Sequence, residues 1–161
     1  MTTTHNPTTI TAQPGTPFIE TVREFDAPPE LVFRASTDPE LLAQWMGPRE
    51  LTTRVEENDV RPGGSYRFVQ TDPDGNEFGF RGVFHSVVPA KFVVQTFEFE
   101  AMPEYVSLEY ANYEDLDGRT RLVSRSIYPS VEARDGAIES GMERGIYDSM
   151  DRLEELLARL A

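Results

Sequence analysis

Apolar residues along this chain follow two different periods, and the switches between them mark out its architecture. Phe18-Ile19-Glu20-Thr21-Val22-Arg23-Glu24-Phe25 mixes β-branched and aromatic residues with polar ones and predicts a first strand. Asp26-Ala27-Pro28-Pro29-Glu30 then carries the marks of a helix start. Proline suits a first turn whose amides lack intrahelical acceptors, and acids there complement the helix dipole. Leu31-Val32-Phe33 gives that short helix its apolar face. Thr37-Asp38-Pro39-Glu40 repeats the start signal for a second short helix, with Leu41, Leu42 and Trp45 at helical spacing and Gly47-Pro48 as its stop.

From there to Tyr128 the period falls to two. Strands are expected over residues 51–57, 65–71, 77–88, 92–99, 104–113 and 119–128. Between them stand turn signals such as Arg61-Pro62-Gly63-Gly64, Asp72-Pro73-Asp74-Gly75 and Leu116-Asp117-Gly118.

The chain closes on a helical period. After Ser130, the expected N-cap, Ile138, Met142, Ile146, Met150, Leu153, Leu157 and Leu160 recur every three or four residues along one predicted long helix. Beside this row runs another of small residues only: Ala137, Gly141, Gly145 and Ser149. Glycine inside a helix costs about 1 kcal/mol relative to alanine. Two of them one turn apart therefore serve either close packing against a sheet or space kept open for a ligand. From Leu153 onward the bulky leucines read as ordinary core.

One strand, two short helices, six strands and a long helix make an α+β protein. An antiparallel sheet of about seven strands twists and cannot lie flat, so it curls around something, and the long amphipathic helix is the one element large enough to fill the concave side. The expected architecture is a helix grip.

Composition narrows the functional classes. The 161 residues fit a single domain. Residues 1–16, rich in Thr, are expected to be a disordered tail ahead of a domain over residues 17–161. With 28 acidic and 15 basic residues the formal net charge is −13, which argues against nucleic acid and anionic membrane surfaces as partners. The absence of cysteine excludes disulfides and thiolate metal ligands. No apolar run reaches membrane-spanning length and the N-terminus lacks the pattern of a signal peptide, so a cytoplasmic protein is the default expectation.

Catalytic and metal chemistry finds little support. His5 and His85 are the two histidines, and the acids lack ligand spacing, so neither a metal nor another cofactor is expected. His85, Glu98 and Glu100 have the parity opposite to their aromatic neighbours Phe84, Phe97 and Phe99, which places them on a solvated face. No catalytic residue is assigned. The aromatic parity carries more. Tyr66, Phe68, Phe80, Phe84, Phe97 and Tyr110 are expected on the concave face opposite Gly141 and Gly145, with Ser124 as an isolated hydroxyl and Trp45 closing one end. Together with Met142 and Ile146 they form the candidate wall of a small-molecule pocket.

The order of motifs resembles a known family. Phe25-Asp26-Ala27-Pro28, Thr37-Asp38-Pro39-Glu40, Trp45-Met46-Gly47-Pro48, Asp59-Val60-Arg61-Pro62-Gly63-Gly64, Asp74-Gly75, the isolated Gly82, Gly118-Arg119-Thr120 and Gly141-Met142-Glu143-Arg144-Gly145 follow one another as in the SRPBCC (START and birch-pollen-allergen-like) superfamily. The similarity is to its branch of activator of heat-shock-protein-90 ATPase homologue-like proteins and covers about residues 17–160. Many members have tryptophan just after the second helix glycine, where this chain has Ile146. The resemblance implies a cavity between sheet and last helix that holds a small hydrophobic molecule. Some branches have turned such cavities into cyclase-type active sites, and a chaperone-interacting module is a third reading implied by the name of the branch. Exposed sheet edges leave a homodimer open.

Overall fold

The computed structural model describes residues 6–161. Its elements are β1 (Thr8–Thr11), β2 (Phe18–Phe25), α1 (Pro29–Thr37), α2 (Pro39–Trp45), β3 (Thr52–Asn58), β4 (Ser65–Thr71), β5 (Glu77–Val88), β6 (Phe92–Phe99), β7 (Ser107–Asp115), β8 (Thr120–Ile127), α3 (Val131–Glu139) and α4 (Met142–Leu160). The strands form one antiparallel sheet in the order β1-β2-β8-β7-β6-β5-β4-β3. This is the expected helix-grip α+β fold, with an eighth strand added. Among the described residues no helix is long and apolar enough to cross a membrane.

The helix starts follow their local chemistry. Pro28 and Pro29 open α1 without a side-chain cap. The Asp38 carboxylate accepts from the Glu40 amide at 2.9 Å and so starts α2 directly after α1 ends. The Ser130 hydroxyl accepts from the Ala133 amide at 3.0 Å at the head of α3. Each satisfies an amide that the first helical turn leaves without a partner. The core gathers where α1, α2 and the second half of α4 meet the sheet, around Phe25, Val32, Leu42, Trp45, Leu122 and Leu153. The Trp45 indole N–H is satisfied there by the Ala35 carbonyl at 2.9 Å. Leu160, expected to belong to this core, is exposed at the last turn of α4.

The N-terminal segment departs from the expectation of a disordered tail. Residues 8–11 pair with β2, Ile10 opposite Thr21. Two buried arginines hold the segment: Arg23 Nη1 donates to Thr8 Oγ1 at 2.7 Å, and Arg134 Nη1 donates to the Gln13 carbonyl at 3.0 Å. Thr-rich composition looks like a tail, yet β-branched threonine also suits a strand once an edge is offered. His5 and the rest of residues 1–5 lie outside the described residues.

The closing helix is likewise corrected, from one rod to two. Gly141 has φ +86°, a left-handed conformation in which L residues clash, and it sits as the N-cap of α4 after the end of α3. Gly145 lies inside α4 with ordinary helical backbone, and a β-carbon there would meet Pro48 Cγ and Cδ at 3.6 and 3.7 Å, normal van der Waals contact. The two glycines therefore have opposite requirements. Gly141→Ala is expected to destabilise by about 1–2 kcal/mol, whereas Gly145→Ala is expected to stabilise by up to about 1 kcal/mol. Urea denaturation of both variants checks this; equal signs would refute it.

Candidate functional site

Breaking the closing helix at Gly141 leaves α3 and the first turns of α4 standing off from the sheet, and a cavity of about 1000 Å³ lies between them. That is the upper end of the usual size range for small-molecule sites. Strands β4, β5 and β6 supply Tyr66, Phe68, Phe80, Phe84 and Phe97, all in its wall as the alternation predicted. Their rings support one another, with Phe68 and Phe80 stacked at 5.1 Å, Phe80 and Phe97 at 5.5 Å, and Tyr66 tilted on Phe84 at 5.2 Å. Gly82, between Phe80 and Phe84, leaves the room that the Tyr66 ring fills, because a β-carbon there would overlap both that ring and the Thr96 carbonyl oxygen.

Opposite the rings, Gly141, Met142, Gly145 and Ile146 line the helix side, and Trp45 lies at the α2 end. That end is fixed by polar contacts. The Ser149 hydroxyl accepts from the Gly47 amide at 2.8 Å, and Arg152 Nη1 donates to the Gly47 carbonyl at 2.9 Å while its Nη2 donates to the Gln44 carbonyl at 3.0 Å. Cationic donors at the last carbonyls of a helix are favourable partners for its dipole.

Two expected wall residues stand elsewhere. Tyr110 points to the outer face, 37% exposed, between Val94 and Arg125 on the neighbouring strands. Ser124 has the inward parity of Leu122 and pairs with Ala111, but does not line the cavity. The inner face of β7 is instead Ser107, Glu109, Ala111 and Tyr113. The alternation misleads in this strand because its inner face borders a cavity rather than a packed core. The apolar Leu108 and Tyr110 fall on the outside and the polar residues within. His85 is exposed at a bulge in β5, and Glu98 and Glu100 pair with Arg81 and Arg67, as their parity implied.

Glu109 is the cavity residue that periodicity missed. Ser126 Oγ donates to its Oε1 at 2.8 Å, while Oε2 is shut from solvent and has no hydrogen-bond partner. Burial pushes the Glu109 carboxyl above the usual carboxylate range, against the stabilising Ser126 hydrogen bond and the nearby Ser107 hydroxyl, which itself donates to the Phe97 carbonyl. Burial likewise raises the Tyr66 and Tyr128 phenols, and the nearby Glu109 charge adds to both shifts. Neither phenol serves the carboxylate: Tyr66 donates to the Thr96 carbonyl and Tyr128 to Met142 Sδ at 3.5 Å. No sequence signal marked it, because the apolar Leu108 and Tyr110 claimed the inward parity of this strand.

Comparison with known proteins places this geometry. No functionally curated protein matches the chain. Among solved structures, protein Ms6760 from Mycobacterium smegmatis is 25% identical with a TM-score of 0.84, over 96% of this chain and 100% of that one. A Rhodobacter sphaeroides protein is 27% identical with a TM-score of 0.85, over 95% of this chain and 100% of that one. The model of the family described as activator of Hsp90 ATPase homolog 1-like protein matches residues 26–158. The chain therefore belongs to that family, a branch of the SRPBCC superfamily.

Proposed function

We propose that the protein binds a small hydrophobic molecule in the cavity between the curved sheet and helices α3 and α4. The observation that carries this reading is a space of about 1000 Å³ walled by aromatic rings on one side and small residues on the other. Filling such a volume with ligand removes a large apolar area from water at about 25 cal/mol per Å².

Gly145→Leu and Ala111→Leu place new bulk on the helix side and on the strand floor of the cavity. Both are expected to weaken uptake of a neutral naphthalene probe at least tenfold, read by fluorescence on variants shown by circular dichroism to be folded. Wild-type affinity in both folded variants would sink the proposal. A cyclase-like enzyme acting in the same cavity is the second reading. It requires a titratable group in the wall, and Glu109 supplies one.

A further inference from the structure

Among the described residues, the charged ones in the cavity wall are Glu57, Glu109 and Glu132, with no lysine, arginine or histidine. An apolar site for fatty acids or other organic anions needs a cation or a donor array at the polar end of its ligand. This wall has the opposite sign. Nor do the acids converge on a metal, since among the described residues no group of three His, Cys, Asp or Glu side chains could hold an ion.

Glu109 makes the demand specific. One of its oxygens is bonded by Ser126, the other is buried without a partner, and no basic side chain is among the groups that act on it. An unpartnered buried acceptor costs on the order of 1–3 kcal/mol, a cost that a ligand can remove by bringing the missing donor. The torsion that carries the carboxylate is broad and two-fold, so either oxygen can be turned toward the space. The same cavity wall carries Tyr66, Phe68, Phe80 and Phe97, whose ring faces attract cations. The net charge of −13 adds a field that draws cations toward the molecule and repels anions.

Resting on the cavity reading above, we infer that the ligand is an organic cation, an aromatic or alicyclic body carrying a protonated amine that pairs with the Glu109 carboxylate. The amine replaces the absent basic partner, the aromatic wall takes the body, and Ser126 holds the carboxylate from behind. Association brings the proton on the amine with it and keeps Glu109 ionised, so no covalent step is involved.

Three probes with one naphthalene body separate the terms: naphthylethylamine, naphthylethanol and naphthylacetate, titrated by fluorescence or calorimetry into the full chain at neutral pH. The wild type is expected to bind the amine at least tenfold tighter than the alcohol and the acetate most weakly. In Glu109→Gln, checked for folding by thermal melting, amine and alcohol affinities are expected to converge to within about twofold, since a neutral amide keeps the shape and removes the charge. Equal binding of all three by the wild type, or a preference for the acetate, overturns the inference while leaving the cavity reading intact. An amine preference that survives in folded Glu109→Gln overturns the role of Glu109. Failure of all three probes to bind overturns the cavity reading and this inference together.

Discussion

Replacing Arg23 by methionine is expected to lower the stability of the protein by about 3–5 kcal/mol, the usual penalty for removing one member of a buried ion pair. Arg23 is 2% exposed in the middle of β2. Its Nη1 donates to Asp151 Oδ1 at 2.9 Å and to Thr8 Oγ1 at 2.7 Å. Nη2 lies 3.1 Å from Glu154 Oε2, an ion-pair contact without hydrogen-bond alignment, and the guanidinium stands 5.6 Å over the Phe25 ring. One side chain thus joins the sheet to α4 and to β1. Asp151 is 44% exposed at its side chain and water screens its share of the attraction. The larger part belongs to Glu154, at 15%.

The expected fall in midpoint temperature is roughly 6–20 °C for a chain of this length. Arg23→Lys keeps the charge but loses the planar fork, and is expected to fall between wild type and Arg23→Met. Thermal and urea denaturation of the pair decide the matter. A methionine variant within 1 kcal/mol of wild type, an order-of-magnitude threshold set by exposed pairs, would mean that the network contributes no more than a surface ion pair.

Leu153→Ala is expected to cost about 2–5 kcal/mol, because the cavity it leaves cannot collapse among Val32, Trp45 and Leu156. Leu153 is fully buried. Ile146, two turns earlier on the same apolar row, lines a space that already exists. Ile146→Ala is expected to cost less than 1.5 kcal/mol, an order-of-magnitude bound for lost contacts without a new void, while changing the affinity for a naphthalene probe. The two variants together locate the boundary between solid core and binding space along α4. Equal stability losses, with probe binding unchanged in Ile146→Ala, would contradict that division.

Much of this division is legible in the residues themselves. The small-residue row at Ala137, Gly141 and Gly145 does lie against the cavity, and the aromatic parity of β4, β5 and β6 needs no correction. Three physical facts hid the rest. Hydrophobic alternation identifies a buried face only where that face meets packed apolar matter, so it inverted in β7, where Glu109 and Ser107 face the cavity and Tyr110 the outside. Likewise Arg23 at an inward strand position reads as a break in the pattern until Asp151 and Glu154, 128 and 131 residues later, are seen one turn apart on the facing helix. The left-handed turn at Gly141 was concealed by a period that continues on either side of it. Glycine can extend a helix or end one, and spacing alone does not separate the two uses.

The short strand β1 has a consequence for the solubility of the chain. Without residues 8–11, the eight residues of β2 would become an open edge of alternating Ile19, Thr21, Arg23 and Phe25, able to template the strand of another molecule. With them, the outermost strand is four residues long and offers little to pair with. At the other border, β3 carries Arg54, Glu56 and Glu57 and a register shift between Val55 and Glu57, features that discourage strand addition by charge and by twist. The threonine-rich stretch thus works as a guard against edge-to-edge aggregation, and a shortened chain starting at Pro17 would trade a few residues for a tendency to clump.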